Sequence, residues 1–154
     1  LSKSDTYTVS LSAGAMSSSN VTGLDCSITP SATSSKILVT GHVNISRTNP
    51  DANASCSIQL LRGGTILADA NGDVASNRPR VLGTVPMQTV YESGTVGFSF
   101  VDSPSSTSSQ TYGFRLHNNR GDTATICVNR TGDDADNAYS PRGASSVVLM
   151  EISA

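Results

Sequence analysis

Apolar residues along this chain recur at every second position rather than every third or fourth. Val39, Val43 and Ile45 share one parity, as do Val96, Phe98 and Phe100, and Tyr112, Phe114 and Leu116. Side chains spaced in this way line one face of a strand and form the candidate core. Helical periodicity does not hold over any window of eleven or more residues, whereas β-branched runs bounded by Gly, Pro, Asn and Ser recur throughout. The pattern predicts strands over residues 6–11, 24–29, 36–46, 56–61, 65–69, 80–85, 94–102, 111–118, 123–130 and 145–152. About ten short strands with turn signals between them predict an all-β fold, an antiparallel β-sandwich. Residues 1–154 are expected to form one such domain, and because the chain opens on Leu1 it is expected to be the C-terminal fragment of a longer protein.

The connections carry their own signals. Arg62-Gly63-Gly64-Thr65 sets two glycines between strand runs, as a tight hairpin with positive φ requires. Residues 118–122, Asn-Asn-Arg-Gly-Asp, read as a second hairpin. Longer loops are predicted at 46–55, 71–79, 103–110 and 131–144; five of the six prolines fall in or beside these loops or other breaks, and Pro86 marks a strand end.

The last predicted strand departs from alternation: Val147-Val148-Leu149-Met150-Glu151-Ile152 is apolar on both faces. A sandwich strand with one wet face should alternate. Ile37-Leu38-Val39 and Leu60-Leu61 repeat the anomaly. Part of the outer surface is therefore expected to be covered by another subunit, with Val148, Met150 and Ile152 as interface candidates. Each aliphatic side chain so covered contributes about 1.5–3 kcal/mol to assembly.

Composition narrows the function classes. Charged residues are 14% of the chain, against roughly 25% in ordinary domains, while there are 26 Ser and 16 Thr, so polarity here is hydroxyl rather than ionic. A net charge of −2 with ten scattered basic residues provides no stripe for a phosphate backbone, and a nucleic-acid partner is not expected. No apolar run approaches a membrane span, and membrane insertion is not expected either.

Cys26, Cys56 and Cys127 lie far apart without a C-x-x-C pair, which disfavours a zinc or redox site and fits buried thiols at strand positions, as in a protein made in a reducing cytoplasm. Four N-x-S/T sequons, at Asn20, Asn44, Asn53 and Asn129, are expected by chance in so hydroxyl-rich a chain.

Candidate chemistry is sparse. His42 and His117 have no nucleophile elbow beside them, and no catalytic residue is assigned. The cluster Asp133-Asp134-Ala135-Asp136-Asn137 offers oxygen ligands that could hold Ca²⁺, but lacks the Gly-anchored calcium-loop pattern; pairing with Arg130 and Arg142 is the favoured alternative, so no metal site or cofactor is assigned. Arg120-Gly121-Asp122 matches an adhesion tripeptide, but a hairpin turn, which wants Gly between polar residues, is the favoured explanation. Eight of the ten basic residues are Arg, a bias that suits bidentate contacts to carboxylates, including those of sugar acids or a neighbouring subunit. In a sandwich, recognition falls to the loops. Loop 131–144 supplies Asp133, Asp136, Asn137, Tyr139 and Arg142 as ligand-binding candidates, and loop 71–79, with Asp73, Asn77 and Arg78, is the second choice.

Three segments carry a resemblance: Ile28-Thr29-Pro30-Ser31-Ala32-Thr33-Ser34-Ser35-Lys36-Ile37-Leu38-Val39; Val101-Asp102-Ser103-Pro104 followed by Thr111-Tyr112; and Val128-Asn129-Arg130 with residues 143–152. In this order the chain resembles, over roughly residues 20–154, the C-terminal domain of virion structural and tail-fibre proteins of tailed bacteriophages, especially those of marine and cyanobacterial hosts. The resemblance implies a jelly roll similar to the tumour-necrosis-factor and C1q type, assembled as a homotrimer at a fibre tip or on the virion surface. It assigns no site residues and does not account for the three cysteines. The leading expectation is a non-enzymatic adhesin whose loops contact a host cell-surface glycan or protein. A purely structural virion trimer and a secreted calcium-dependent lectin-like module are the alternatives.

Overall fold

The computed structural model describes residues 2–153 as two antiparallel sheets, with one short 3-10 turn at Ala68–Ala70. The strands are β1 (Ser2–Lys3), β2 (Tyr7–Leu11), β3 (Cys26–Ile28), β4 (Lys36–Arg47), β5 (Ser55–Arg62), β6 (Thr65–Ile66), β7 (Gly83–Pro86), β8 (Gly94–Asp102), β9 (Gln110–Asn118), β10 (Ala124–Val128) and β11 (Ser145–Ile152). The pairing follows the logic of a long hairpin rolled upon itself: β2 pairs with β10, β3 with β9, β4 with β8 and β5 with β7. Rolling then brings β10 against β4 in one sheet and β9 against β5 in the other. Four-stranded sheets β2-β10-β4-β8 and β3-β9-β5-β7 are the connectivity of a jelly-roll sandwich.

Alternation supplies the core between the sheets. Ile37, Val39, Val43 and Ile45 of β4 face Ile58 and Leu60 of β5 and Tyr112, Phe114 and Leu116 of β9, all fully buried. Phe98 and Phe100 of the edge strand β8 are half-buried against the same cluster, and the Phe98 and Phe114 rings lie 5.2 Å apart. An ion pair closes the sandwich at each end. Arg47, pointing inward from β4 and wholly buried, donates to Asn118 at 3.0 Å and to Asp122 at 2.8 Å. At the other end Arg62 and the Tyr112 hydroxyl both reach Asp102 Oδ2, at 2.5 and 2.6 Å. Burial and the neighbouring carboxylate raise the Tyr112 hydroxyl well above its ordinary range, so it remains a donor.

The first sheet carries an addition. β11 pairs with the first half of β4 (Lys36 to His42), and β10 with its last three residues. The edge changes partner at Asn44, whose N–H donates to Ser145 Oγ at 3.0 Å and whose carbonyl accepts from the Asn129 N–H at 3.1 Å. Ser145 in turn donates to Asn129 Oδ1 at 2.6 Å. Gly41 is required beside this junction, because a Cβ there would meet the Ser146 carbonyl oxygen at 2.0 Å.

Several expectations are corrected. The strand predicted over 65–69 stops at Ile66, because the Asn71 carboxamide replaces it: Asn71 accepts from the Leu60 N–H and donates to the Leu60 carbonyl. The strand predicted over 80–85 begins only at Gly83. β1 was not predicted. Leu61 needs no subunit to cover it, since both Leu60 and Leu61 are fully buried within the chain. Cys56 and Cys127 are buried and Cys26 half-buried, all as free thiols. Burial pushes the Cys56 thiol up to about 12, which makes it an inert apolar filler.

Candidate functional site

Three surfaces concentrate the candidate residues. The first is loop 131–144. It lies across the outer face of the first sheet, over the end of β4 and over β10. Ser46 Oγ donates to the Arg130 carbonyl at 2.6 Å, and the Asp133 N–H donates to the Val90 carbonyl at 2.9 Å. A Cβ on Gly143 would meet Asn44 Oδ1 at 2.8 Å and one on Gly132 the Arg47 carbonyl at 2.1 Å, so the loop backbone lies directly on the sheet. Beneath it Ser46 and Cys127 are fully buried although they point outward.

The predicted ligand residues of this loop do not converge. Asp134 is held between Arg130 (3.0 Å) and Arg142 (2.6 Å), the pairing weighed against calcium above. Asp133 is half-buried and accepts from Ser140, while Asn137 Oδ1 accepts from the Tyr139 N–H at 2.8 Å in a local turn. Asp136 is exposed. Among the described residues no three His, Cys, Asp or Glu groups come together as a metal site. Tyr139, 73% exposed, meets the ring of Tyr91, which precedes β8, edge-on at 6.1 Å, so the two rings form an aromatic pair at the surface beside the exposed Asp136.

The second surface is the rest of that outer face. Val148, Met150 and Ile152 point out of β11 and are 41%, 47% and 45% exposed. The register extends the patch beyond the residues the sequence marks: Met150 stands opposite Leu38, and Leu38 opposite Val101, which is 46% exposed on β8. Val101 breaks the alternation of β8 by a single residue, beside Phe100, a signal too short to mark it from the sequence. Only the cross-strand register aligns it with the other two.

The third is an open cleft of about 690 Å³ on the outer side of the second sheet. The turn at Ala13–Gly14, the segment Asn77-Arg78-Pro79 and Arg120–Gly121 form its walls; residues 118–122 are not the predicted hairpin, because β9 and β10 pair in different sheets and this stretch crosses from one sheet to the other. A chain of hydrogen bonds forms its floor: His117 Nε2 meets the Gly14 carbonyl at 3.0 Å, its Nδ1 meets Asn119 Oδ1, and Asn119 Nδ2 donates to Ser57 Oγ at 2.6 Å. Both ring nitrogens of His117 are thus engaged, and His42 stands apart on the other sheet, opposite Gly97 and Ser146. The adhesion-like tripeptide is tied down within the chain, Arg120 to Asp51 at 2.5 Å and Asp122 to Arg47. Arg47 holds the Asp122 carboxyl below its ordinary value.

No family model matches this chain, and no curated protein matches it. Among solved structures the fold is similar to a chain in the structure of infectious bursal disease virus, Gt strain, at 12% identity and a TM-score of 0.48. That similarity covers 97% of this chain but 36% of the other, so this chain spans about a third of the length of the protein it matches.

Proposed function

We propose that this chain is a non-enzymatic virion module, a homotrimeric jelly roll of the phage tail-fibre type that attaches to a host cell surface through its loops. The observation that carries the assembly part is the apolar row Met150–Leu38–Val101, flanked by Val148 and Ile152, on a sheet face that the chain itself leaves open. An exposed patch of this kind marks a protein partner. A second copy satisfies it without any further component, and closed cyclic symmetry is the usual way for identical chains to bury such a face. The virion setting is supported by the resemblance of residues 20–154 to phage C-terminal domains. Loops that remain open once the sheet faces are committed are the natural contacts for a receptor.

A purely structural trimer is the second reading, favoured by the lacing of Asp134 between Arg130 and Arg142, which spends the most polar loop on internal contacts. Adsorption of the isolated protein to host cells separates the two. In the attachment reading Tyr139→Ala or Asp136→Ala reduces adsorption while the variants stay folded and trimeric; in the structural reading neither the parent nor the variants adsorb. No hydrolytic activity is expected, because His117 has both ring nitrogens engaged and its cross-strand neighbour Ser57 is fully buried, with its Oγ held by Asn119 and Thr84. Turnover of a polysaccharide or ester that disappears in His117→Ala would contradict this.

A further inference from the structure

We infer that the cleft between Gly14, Arg78 and Gly121 is a binding site for an acidic saccharide, recognised through its carboxylate by Arg78. The inference deepens the host-attachment reading and rests on it for its biological meaning, while the site itself is argued from the arginines. The chain has eight, and seven of them are engaged internally. Arg47, Arg62, Arg120, Arg130 and Arg142 hold carboxylates. Arg80 donates to the carbonyls of Gly72 and Ala68, and Arg115 to that of Gly64. Arg78 is the exception among the described residues, an exposed guanidinium with neither an acid nor a carbonyl as partner, and it lines the larger of the described clefts.

The rest of the lining agrees with an anion. None of the lining residues is acidic, and Arg120, although paired with Asp51, adds a second guanidinium to the same wall. A guanidinium presents a planar fork that matches a carboxylate with two parallel hydrogen bonds. The volume, about 690 Å³, lies within the range of small-ligand sites and suits one or two sugar rings. The space is real: at both Gly14 and Gly121 no atom lies within 4 Å of where a Cβ would stand, so a flat ring can approach the backbone there. Asn77 offers a carboxamide for ring hydroxyls at the rim, and Pro79 an apolar face beside it.

Calorimetric titration of the intact protein tests this with three probes: digalacturonate, glucose 6-phosphate and neutral lactose. Digalacturonate is expected to bind, and lactose to bind at least roughly tenfold more weakly, because the charge-assisted pair to Arg78 is absent. Arg78→Gln should weaken digalacturonate by a similar factor. Gly121→Leu, at a position free of positive φ and open to a side chain, should abolish binding by filling the cleft without disturbing the fold. Glucose 6-phosphate binding in place of digalacturonate would overturn the carboxylate assignment. No binding of digalacturonate, equal binding of lactose, or both variants binding like the parent would overturn the site. If Arg78→Gln loses digalacturonate yet adsorbs to host cells like the parent, the cleft stands as a saccharide site but is not the contact that attaches the protein; if the parent binds digalacturonate yet does not adsorb, the cleft stands and the attachment reading fails.

Discussion

The outer face of the first sheet is two surfaces joined at Asn44. Towards the Arg47 end the chain covers its own sheet with loop 131–144, and the outward residues beneath, Asn44, Ser46 and Cys127, are small or polar: Ser46 donates to the Arg130 carbonyl, Asn44 Nδ2 reaches Ser93 and Thr95, and Cys127 is fully buried. Towards the Lys36 end no described residue covers the sheet, and there Leu38, Val101, Val148, Met150 and Ile152 point outward, with Lys36, Thr40 and Ser99 as polar neighbours on the same face. A monomer exposed to water throughout would show the reverse, polar where bare and apolar where covered. The inversion shows that exposure in the single chain is not what the sequence is matched to on the bare half, and it is the physical ground for assigning that half to a second copy.

The largest expected effect breaks the bare half. Met150→Arg places a charge in the centre of the apolar row, and burying it unpaired costs several kcal/mol for each copy. Assembly should be lost and the monomer fold retained, since Met150 lies on the surface of the single chain; light scattering and circular dichroism check both. The same charge at Ala138, on the exposed side of the loop, should leave the mass unchanged.

On the covered half the weak point is Asn129. It is fully buried at φ 60 and joins the Asp5 carbonyl (3.0 Å) to Ser145. Asn129→Ala strands those partners and should lower stability by about 2–3 kcal/mol, read as a shift in the urea midpoint. A smaller loss, about 1 kcal/mol, is expected for Asp134→Ala, which frees Arg130 and Arg142 on a half-exposed surface. Neither should change the assembly mass if the two halves are independent.

Acid separates the fold from the bare half more gently. Arg47 depresses the Asp122 carboxyl, so this pair contributes stability that is fully present above the unfolded value of about 3.8 and lost as pH falls through the lower folded value. Urea midpoints of the parent should therefore fall below about pH 4. Asp122→Asn should start less stable at neutral pH and show a shallower acid slope.

How far the sequence could be read follows from the same contrast. Strands β8 and β11 have the predicted bounds, because alternation and turn residues are local signals. β6 is shorter than its β-branched start indicates, because a carboxamide five residues further on competes for Leu60. β1 is two polar residues whose pairing with β11 leaves no trace in periodicity. Leu60-Leu61 and Val148-Met150 look alike as apolar runs, yet one is covered by the chain and the other is not. That difference is set by where distant loops fall. The cleft was hidden for the same reason: its walls come from residues 13–14, 77–79 and 117–121. Polar content favoured loop 131–144 over loop 71–79, but composition does not report which arginines already hold a carboxylate.

The mass of the protein in solution at micromolar concentration, measured by sedimentation equilibrium for the parent and for Met150→Arg, decides whether a second copy covers the bare half. Three copies of the 15.9 kDa chain are expected for the parent and one for the variant. A parent that sediments as a single 15.9 kDa chain would contradict the assignment of the bare apolar half to a second copy.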